Sequence, residues 1–430
     1  MDVSSTFNDF LNNIEVKNSD NIISRFKTVT KRLNKDFYNG LEKDDEHGIY
    51  IGSFGRDTAI NGVSDLDIDF IMPDEDFKKY NKSDENGQYK LLCDIKDALN
   101  KTYSTSEITV DRYVVVVKFD KDFIEVCPVF EEKDGSFTFP DSYNNGSWRK
   151  TNPNPETVEI DVFNDATSGN LKKLCRMGRA WKDKMGVKIG GLLLDTFAYN
   201  FLKSDSKYHT YGVGNYDILM RDFFEYLKNL DDNKKYWLAP GSNQHVYKKS
   251  SNFKSKADKT YNIVLNAIAT EEDDDVYEQW QKVFGKVFPY PQTLSERSTN
   301  YTSNEEYIEW TYPVNISYKL LIECEVTQAG FRAELLRKMT GRLRKNKKLL
   351  FYIENTDVPK PYKVLWKIKN EGSLAKQRNS LRGQITNSNN GNEGRRESSD
   401  FEGEHYVECY VIKNGFCVAK DRIDVPISTL

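Results

Sequence analysis

Residues 52–70 read GSFGRDTAINGVSDLDIDF, and the end of that stretch governs how the rest is read. A β-strand turns successive side chains to opposite faces. Asp65-Leu66-Asp67-Ile68-Asp69-Phe70 therefore sets three apolar side chains on one face and three carboxylates on the other. Carboxylates held side by side repel, so that face is either fully solvated or holds a cation. Upstream, Gly52-Ser53 closes the run GIYIGS, where a strand gives way to a loop. Glycine lets backbone come close to a phosphate, and the Ser hydroxyl and neighbouring amides can donate to its oxygens. Arg56 adds a bidentate phosphate donor. A phosphate grip thus stands next to an oxygen-rich metal grip, the surroundings that Mg²⁺, or Mn²⁺ in its place, takes when it bridges carboxylates and substrate phosphates. Asp65 and Asp67, two apart on one face, can hold two such ions together.

A two-metal site needs a third carboxylate from a neighbouring strand. Asp111, Asp120, Asp122 and Glu125 are the candidates. The first three fall at strand ends or in the turn of a hairpin, where solvation accounts for them. Glu125 sits inside FIEVCPVF between Ile124 and Val126, where a charge is costly without a partner. Glu125 is therefore the expected third ligand.

The whole chain limits the alternatives. Its 430 residues allow two or three domains, and 38% hydrophobic residues with 24 Phe and 25 Tyr supply ample core material. A net charge of −4 gives no global basic signal for nucleic-acid binding. No apolar run reaches the length of a membrane span; the nearest, GGLLLDTFAYNFL, is interrupted by Asp195. The six cysteines show no CxxC pair or metal spacing, which favours buried free thiols in a cytoplasmic protein.

Helical periodicity over residues 6–40 is followed by strands near 48–54 and 65–72, a helix over 86–101 and the runs YVVVVKF and FIEVCPVF. Residues 160–285 read as helices, and residues 290–305 as a polar linker. Beyond it VNISYKLLIECEV, KKLLFYIEN, YKVLWKIKN and HYVECYVIKNGFCVAKDRIDV alternate with period two, and Asn414-Gly415 marks a type I′ hairpin. This pattern predicts an antiparallel β-sandwich that folds as its own unit.

The motif GSFGRDTAI…SDLDID, with Glu125 standing before VCPVF, resembles the nucleotidyltransferase signature of the CD-NTases, bacterial relatives of cyclic GMP–AMP synthase and oligoadenylate synthase. WRKTNP (148–153) and WQKVFGKVFP (280–289) are similar to sequences of the subgroup called SMODS, and residues 306–428 resemble the AGS-C sensor domain. The resemblance implies an α+β fold: a polymerase-β-like palm with N-terminal helices over 1–160, an oligoadenylate-synthase-like helical core over 161–290, a linker over 291–305 and a β-sandwich sensor over 306–430. In oligoadenylate-synthase-like relatives a basic residue two positions before a Trp contacts the triphosphate. MGRAW places Arg179 there, with Arg176 and Lys182 about a turn either side. Where relatives continue with Pro-Ser, this chain has Gly190-Gly191. Trp366, Arg382 and His405 are candidates for a ligand surface in the sensor.

The implied activity is a Mg²⁺-dependent nucleotidyltransferase that joins nucleoside triphosphates, ATP among them, into a cyclic di- or trinucleotide messenger. Asp65, Asp67 and Glu125 would hold the metals, and Gly52, Ser53, Arg56, Arg179 and Lys182 the triphosphate. The implied setting is the anti-phage system CBASS, with an effector protein activated by the product, an activating ligand at the C-terminal domain, no membrane and a monomeric chain. The alternatives are a transferase acting on an RNA or protein end, and a catalytically silent ligand-sensing module.

Overall fold

The structure is a computed structural model of the chain and describes every residue except 18, 63–64, 82–85, 120–121, 250, 271–272, 291–304, 329, 340, 372, 378–379, 401 and 429–430. It divides into two compact units. One comprises Asp2–Ala180 and Gly190–Lys249; the other comprises Met1, Trp181–Ile189 and Ser250–Leu430.

The first unit is built on a seven-stranded sheet of β1 (Gly48–Tyr50), β2 (Asp65–Ile71), β3 (Ile108–Asp111), β4 (Val114–Lys118), β5 (Phe123–Glu131), β6 (Phe137–Asp141) and β7 (Ser147–Thr151). The order is β1-β2-β5-β4-β3, with β6 pairing β5 and β7. Strands β2 and β5 run parallel at its centre, and β1 and β4 flank them antiparallel. Of the helices α1 (Val3–Ile14), α2 (Ser19–Phe37), α3 (Gly52–Gly55), α4 (Phe77–Tyr80) and α5 (Gly87–Asn100), α2 and α5 cover one face of the sheet. Val29 and Leu33 of α2 and Leu91, Leu92 and Ile95 of α5 bury against Leu66, Ile68, Phe70, Ile124 and Val126. The period of two then fixes Asp65, Asp67, Asp69 and Glu125 on the opposite face.

Four helices follow: α6 (Pro153–Ala166), α7 (Asn170–Met185), α8 (Gly191–Ser204) and α9 (Tyr216–Lys228). The Thr167 hydroxyl, at the end of α6, accepts from the Leu171 amide in the first turn of α7 at 3.3 Å. A short hairpin of β8 (Tyr236–Leu238) and β9 (His245–Tyr247) ends the unit.

The second unit contains α10 (Phe253–Ala269), α11 (Asp273–Phe284) and the C-terminal strands β10 (Leu320–Thr327), β11 (Glu334–Leu335), β12 (Leu343–Arg344), β13 (Lys348–Thr356), β14 (Lys363–Lys369), β15 (Arg382–Asn387), β16 (Arg395–Ser398), β17 (Gly403–Lys413) and β18 (Phe416–Ser428), with the short helix α12 (Ser373–Gln377). They form two sheets, β11-β10-β13-β16 and β12-β18-β17-β14-β15. Every pair is antiparallel except β12 with β18. The Phe351 and Trp366 rings, one from each sheet, lie 6.4 Å apart, and the Ile322 amide donates to Asp421 at 3.1 Å. Asn414 and Gly415 both have positive φ (52° and 84°), as a type I′ turn requires. All six cysteines are free, and only Cys93 is not fully buried.

The two compact units divide the chain by packing, apart from the domain boundaries expected at 160, 290 and 305. Trp181–Ile189, α10 and α11 pack with the C-terminal sheets. Trp181 donates its indole N–H to Thr260 at 2.8 Å, and Lys256 of α10 meets Asp421 of β18 at 2.7 Å. Most of the expected linker, 291–304, lies outside the described residues.

Candidate active site

The parallel ladder between β2 and β5 sets Asp67 directly beside Glu125, with Asp65 beside Phe123 and Asp69 beside Cys127. Asp65, Asp67 and Glu125 thus share one face of the two central strands. Burial, with the Asp65 charge added, raises the Asp67 pKa to about 7 even though Arg56 and Arg179 act to lower it. Glu125 is pushed up to about 8, first by burial and then by Asp67, Asp65 and Asp111. Asp69, only 2% exposed, is also raised to about 8 by burial and by Asp67. One Asp69 carboxyl oxygen has no hydrogen-bond partner. These acids crowd one another, and each would ionise more readily with a cation among them.

Between β1 and β2 the chain folds back on this face. The Ile51 amide donates to the Asp67 carbonyl at 3.2 Å, and Gly52 follows with φ +65°. A Cβ at Gly52 would stand 1.9 Å from Asp67 Oδ2, so the turn admits only glycine beside that carboxylate. Ser53 comes next in the single turn α3, whose end is tied by Thr58 N–H to Ser53 C=O at 2.9 Å.

Arg56 and Arg179 are drawn together as well, but around Asp195. The wholly buried Asp195 carboxylate accepts from Arg56 Nε at 3.0 Å, from Arg179 Nη2 at 2.7 and 2.9 Å, and from the Thr58 hydroxyl at 3.1 Å. Arg179 Nε also donates to the Thr58 carbonyl at 2.7 Å. Both guanidiniums are about 94% buried and lie near enough to Asp67 to lower its pKa. They form a fixed positive wall by the acidic face, at the residues the sequence suggests as phosphate contacts. Gly191 belongs to this wall: a Cβ there would come within 2.9 Å of Arg179 Nη1. Arg176 is held by Asp57 at 2.6 Å, and Lys182 belongs to the other compact unit.

Sequence reading missed Asp195 as an anchor and Asp69 as a buried acid. Asp195 was visible only as the single charge in GGLLLDTFAYNFL. Of the other acids considered, Asp111 is exposed, Asp122 pairs with Arg25 at 2.5 Å, and Asp120 lies outside the described residues.

The donor set suits a hard divalent cation, since it is all oxygen and its members resist ionising without a positive partner. Among the described residues no three carboxylate, imidazole or thiol groups already stand close enough to hold an ion. The backbone register supplies the shared face.

Comparisons with known proteins bear on the class of protein to which the chain belongs. A family model described as the Second Messenger Oligonucleotide or Dinucleotide Synthetase domain (SMODS) matches residues 1–164. Another, the Adenylyl/Guanylyl and SMODS C-terminal sensor domain (AGS_C), matches residues 302–428. The chain is 23% identical over 281 residues to the cyclic AMP-AMP-AMP synthase of Acinetobacter sp. (strain ATCC 27244 / 9458), covering 61% of this chain and 78% of that protein. It is 23% identical over 277 residues to a probable cyclic nucleotide synthase of Bacillus cereus (strain VD146), covering 56% and 82%. Similar solved structures include E. coli MS115-1 CdnC with HORMA-deltaN (16% identity, 67% of this chain and 98% of that one, TM-score 0.49). Apo DncV of Vibrio cholerae is another (15% identity, 67% and 88%, TM-score 0.47). The chain is a nucleotidyltransferase. Within that class it is a CD-NTase, a SMODS catalytic domain followed by an AGS-C sensor domain, of a family that makes cyclic oligonucleotides and depends on divalent metal. Among the described residues no helix is long and apolar enough to cross a membrane.

Proposed function

We propose that the chain joins nucleoside triphosphates, ATP among them, into a cyclic di- or trinucleotide messenger, with Asp65, Asp67 and Glu125 as the ligands of two Mg²⁺ ions. The observation that carries this is the register of β2 and β5, which aligns Asp67 with Glu125 and keeps Asp65 on the same face. Bound there, divalent cations would supply Lewis-acid stabilisation of the attacking ribose oxygen and of the charge developing on the α-phosphate and pyrophosphate. The chain's own residues do the positioning. Gly52 keeps the turn against Asp67, so its amide and the Ser53 hydroxyl can meet a phosphate beside the acids. Arg56 and Arg179, locked by Asp195, give that pocket a fixed positive field without reorganising when charge develops. No Cys or His nucleophile is needed, because an in-line displacement depends on position and charge. The relative named a cyclic AMP-AMP-AMP synthase supports adenine nucleotides as substrates. We further propose cytoplasmic anti-phage signalling of the CBASS type, with a product-activated effector.

The test is to incubate the full chain with all four labelled triphosphates and Mg²⁺ and to separate nuclease-resistant products. Asp65→Asn with Asp67→Asn is expected to remove all product while keeping or raising thermal stability, since two repelling charges go. Full turnover by that variant, or in excess chelator, would move the active site elsewhere. Transfer only when an RNA or protein acceptor is added would support the end-modifying alternative.

A further inference from the structure

Within the second unit lies a cavity of about 720 Å³ that the catalytic reading does not use. Its walls come from the end of α7, from α10 and α11, and from β10, β17 and β18. Small-molecule sites typically span about 300–1,000 Å³, so the space suits a ligand of nucleotide size. Eight lysine and arginine side chains line it against five carboxylates. The carboxylates are largely satisfied from within. Asp421 takes Lys256 at 2.7 Å and Arg337 at 3.3 Å, Asp424 takes Lys259 at 2.7 Å and Arg422 at 2.8 Å, and Glu408 takes Lys184 at 3.6 Å.

The surplus is cationic. Lys282 of α11 and Lys420 of β18 make no ion pair among the described residues and both are half-buried, Lys282 lying near enough to the lining carboxylate Glu371 to act on its pKa. Burial holds Lys184 and Lys259 below the ordinary lysine pKa; Glu408 and Asp424 oppose that shift, and neighbouring cations add to it. For Lys184 these are Lys420 and Lys367; for Lys259 they are Arg422 and Lys256. An unrelieved positive excess inside a cavity is costly, and an anion in the cavity would offset it. Lysines act as point charges on phosphate oxygens. Beside them Ile263, Leu320 and Leu321 offer an apolar wall that a bare inorganic anion would not fill.

We propose that this cavity is the ligand site of the sensor half, and that it takes a small organic polyanion bearing phosphate, its charged groups at Lys282 and Lys420 and its apolar part against Ile263, Leu320 and Leu321. This deepens the reading of the C-terminal domain as a sensor and does not depend on what the catalytic site makes. His405 lines the cavity, while Arg382 pairs with Glu397 at 2.7 Å and wholly buried Trp366 belongs to the core.

The experiment is calorimetric titration of the full chain, in excess chelator, with inorganic tripolyphosphate and separately with ATP. Both probes are expected to bind, ATP the more tightly. Lys282→Ala with Lys420→Ala should weaken each by on the order of tenfold or more. Asp65→Asn with Asp67→Asn should leave both affinities unchanged, which separates this site from the catalytic one. Ser255 lines the cavity from the exposed side of α10, so Ser255→Trp should occlude it without removing any charge; it carries the test if the lysine variant melts early. Unaltered binding in both cavity variants would overturn the proposal, as would no binding of either probe. ATP binding no tighter than tripolyphosphate would overturn its organic part.

Discussion

Asp69 shows what the acidic face costs when no cation is present. It sits behind Asp67, buried, with one oxygen unpartnered, and its pKa stands at about 8. Asp67 and Glu125 are raised in the same direction, to about 7 and about 8. A carboxyl with a higher pKa folded than unfolded keeps its proton longer in the native state. Between the unfolded value near about 4 and the folded one, the native state binds more protons, so stability falls as pH rises. The cation-free chain should therefore lose on the order of several kcal/mol between about pH 4 and pH 8, measured by urea unfolding in chelator. Saturating Mg²⁺ should flatten that slope by taking the place of protons at Asp67 and Glu125, and Asp69→Asn should reduce it in chelator. Parallel curves for wild type, Asp69→Asn and the Mg²⁺-bound chain would mean that these acids are not the source.

At the scale of elements, the positive wall is a clamp that joins α3, α7 and α8 through one carboxylate. Asp195 leaves α8 between Arg56, just past α3, and Arg179 of α7. Removing one partner from a buried ionic network leaves charge uncompensated and commonly costs about 3–5 kcal/mol. Asp195→Ala is expected to fall in that range by urea unfolding, with Arg179→Lys less costly but still destabilising, because an ammonium cannot reproduce the fork. A loss below about 1 kcal/mol for Asp195→Ala would show that the clamp is not structural. The clamp also marks where sequence reading stopped. The alternation in β2, the Asn414-Gly415 turn and the lone charge of Glu125 were legible because period, turn chemistry and burial are local signals. Asp195 meets Arg56 and Thr58 across 139 and 137 residues, and no local pattern announces such a pair. Arg179 was found through a motif, yet its engagement with Asp195 could be seen only once the chain was folded.

At the scale of the whole chain, period-two alternation correctly gave the C-terminal sheets but not what packs on them. A strand pattern shows that one face is buried without saying against which helix. The partners proved to be α10, α11 and the last turn of α7, across separations such as the 165 residues between Lys256 and Asp421. A chain ending near Ser298 therefore loses more than an appendage. Lys256 and Lys259 would lose Asp421 and Asp424, and half-buried Lys184 would lose Glu408. Gly186, whose Cβ position is 2.3 Å from the Lys420 carbonyl, would lose the strand it is seated against. The apolar face of α10 and α11 would meet water, and exposed apolar surface of that kind drives association. Such a chain is expected to melt roughly 10 °C or more below the full chain and to bind a hydrophobic dye, in contrast to the independent sandwich suggested by sequence alone. Calorimetry of both chains, with dye fluorescence alongside, decides between the two. A short chain that melts cooperatively at the full chain's midpoint without binding dye would show that the sheets fold apart from the helices, and the compact unit described here would fall.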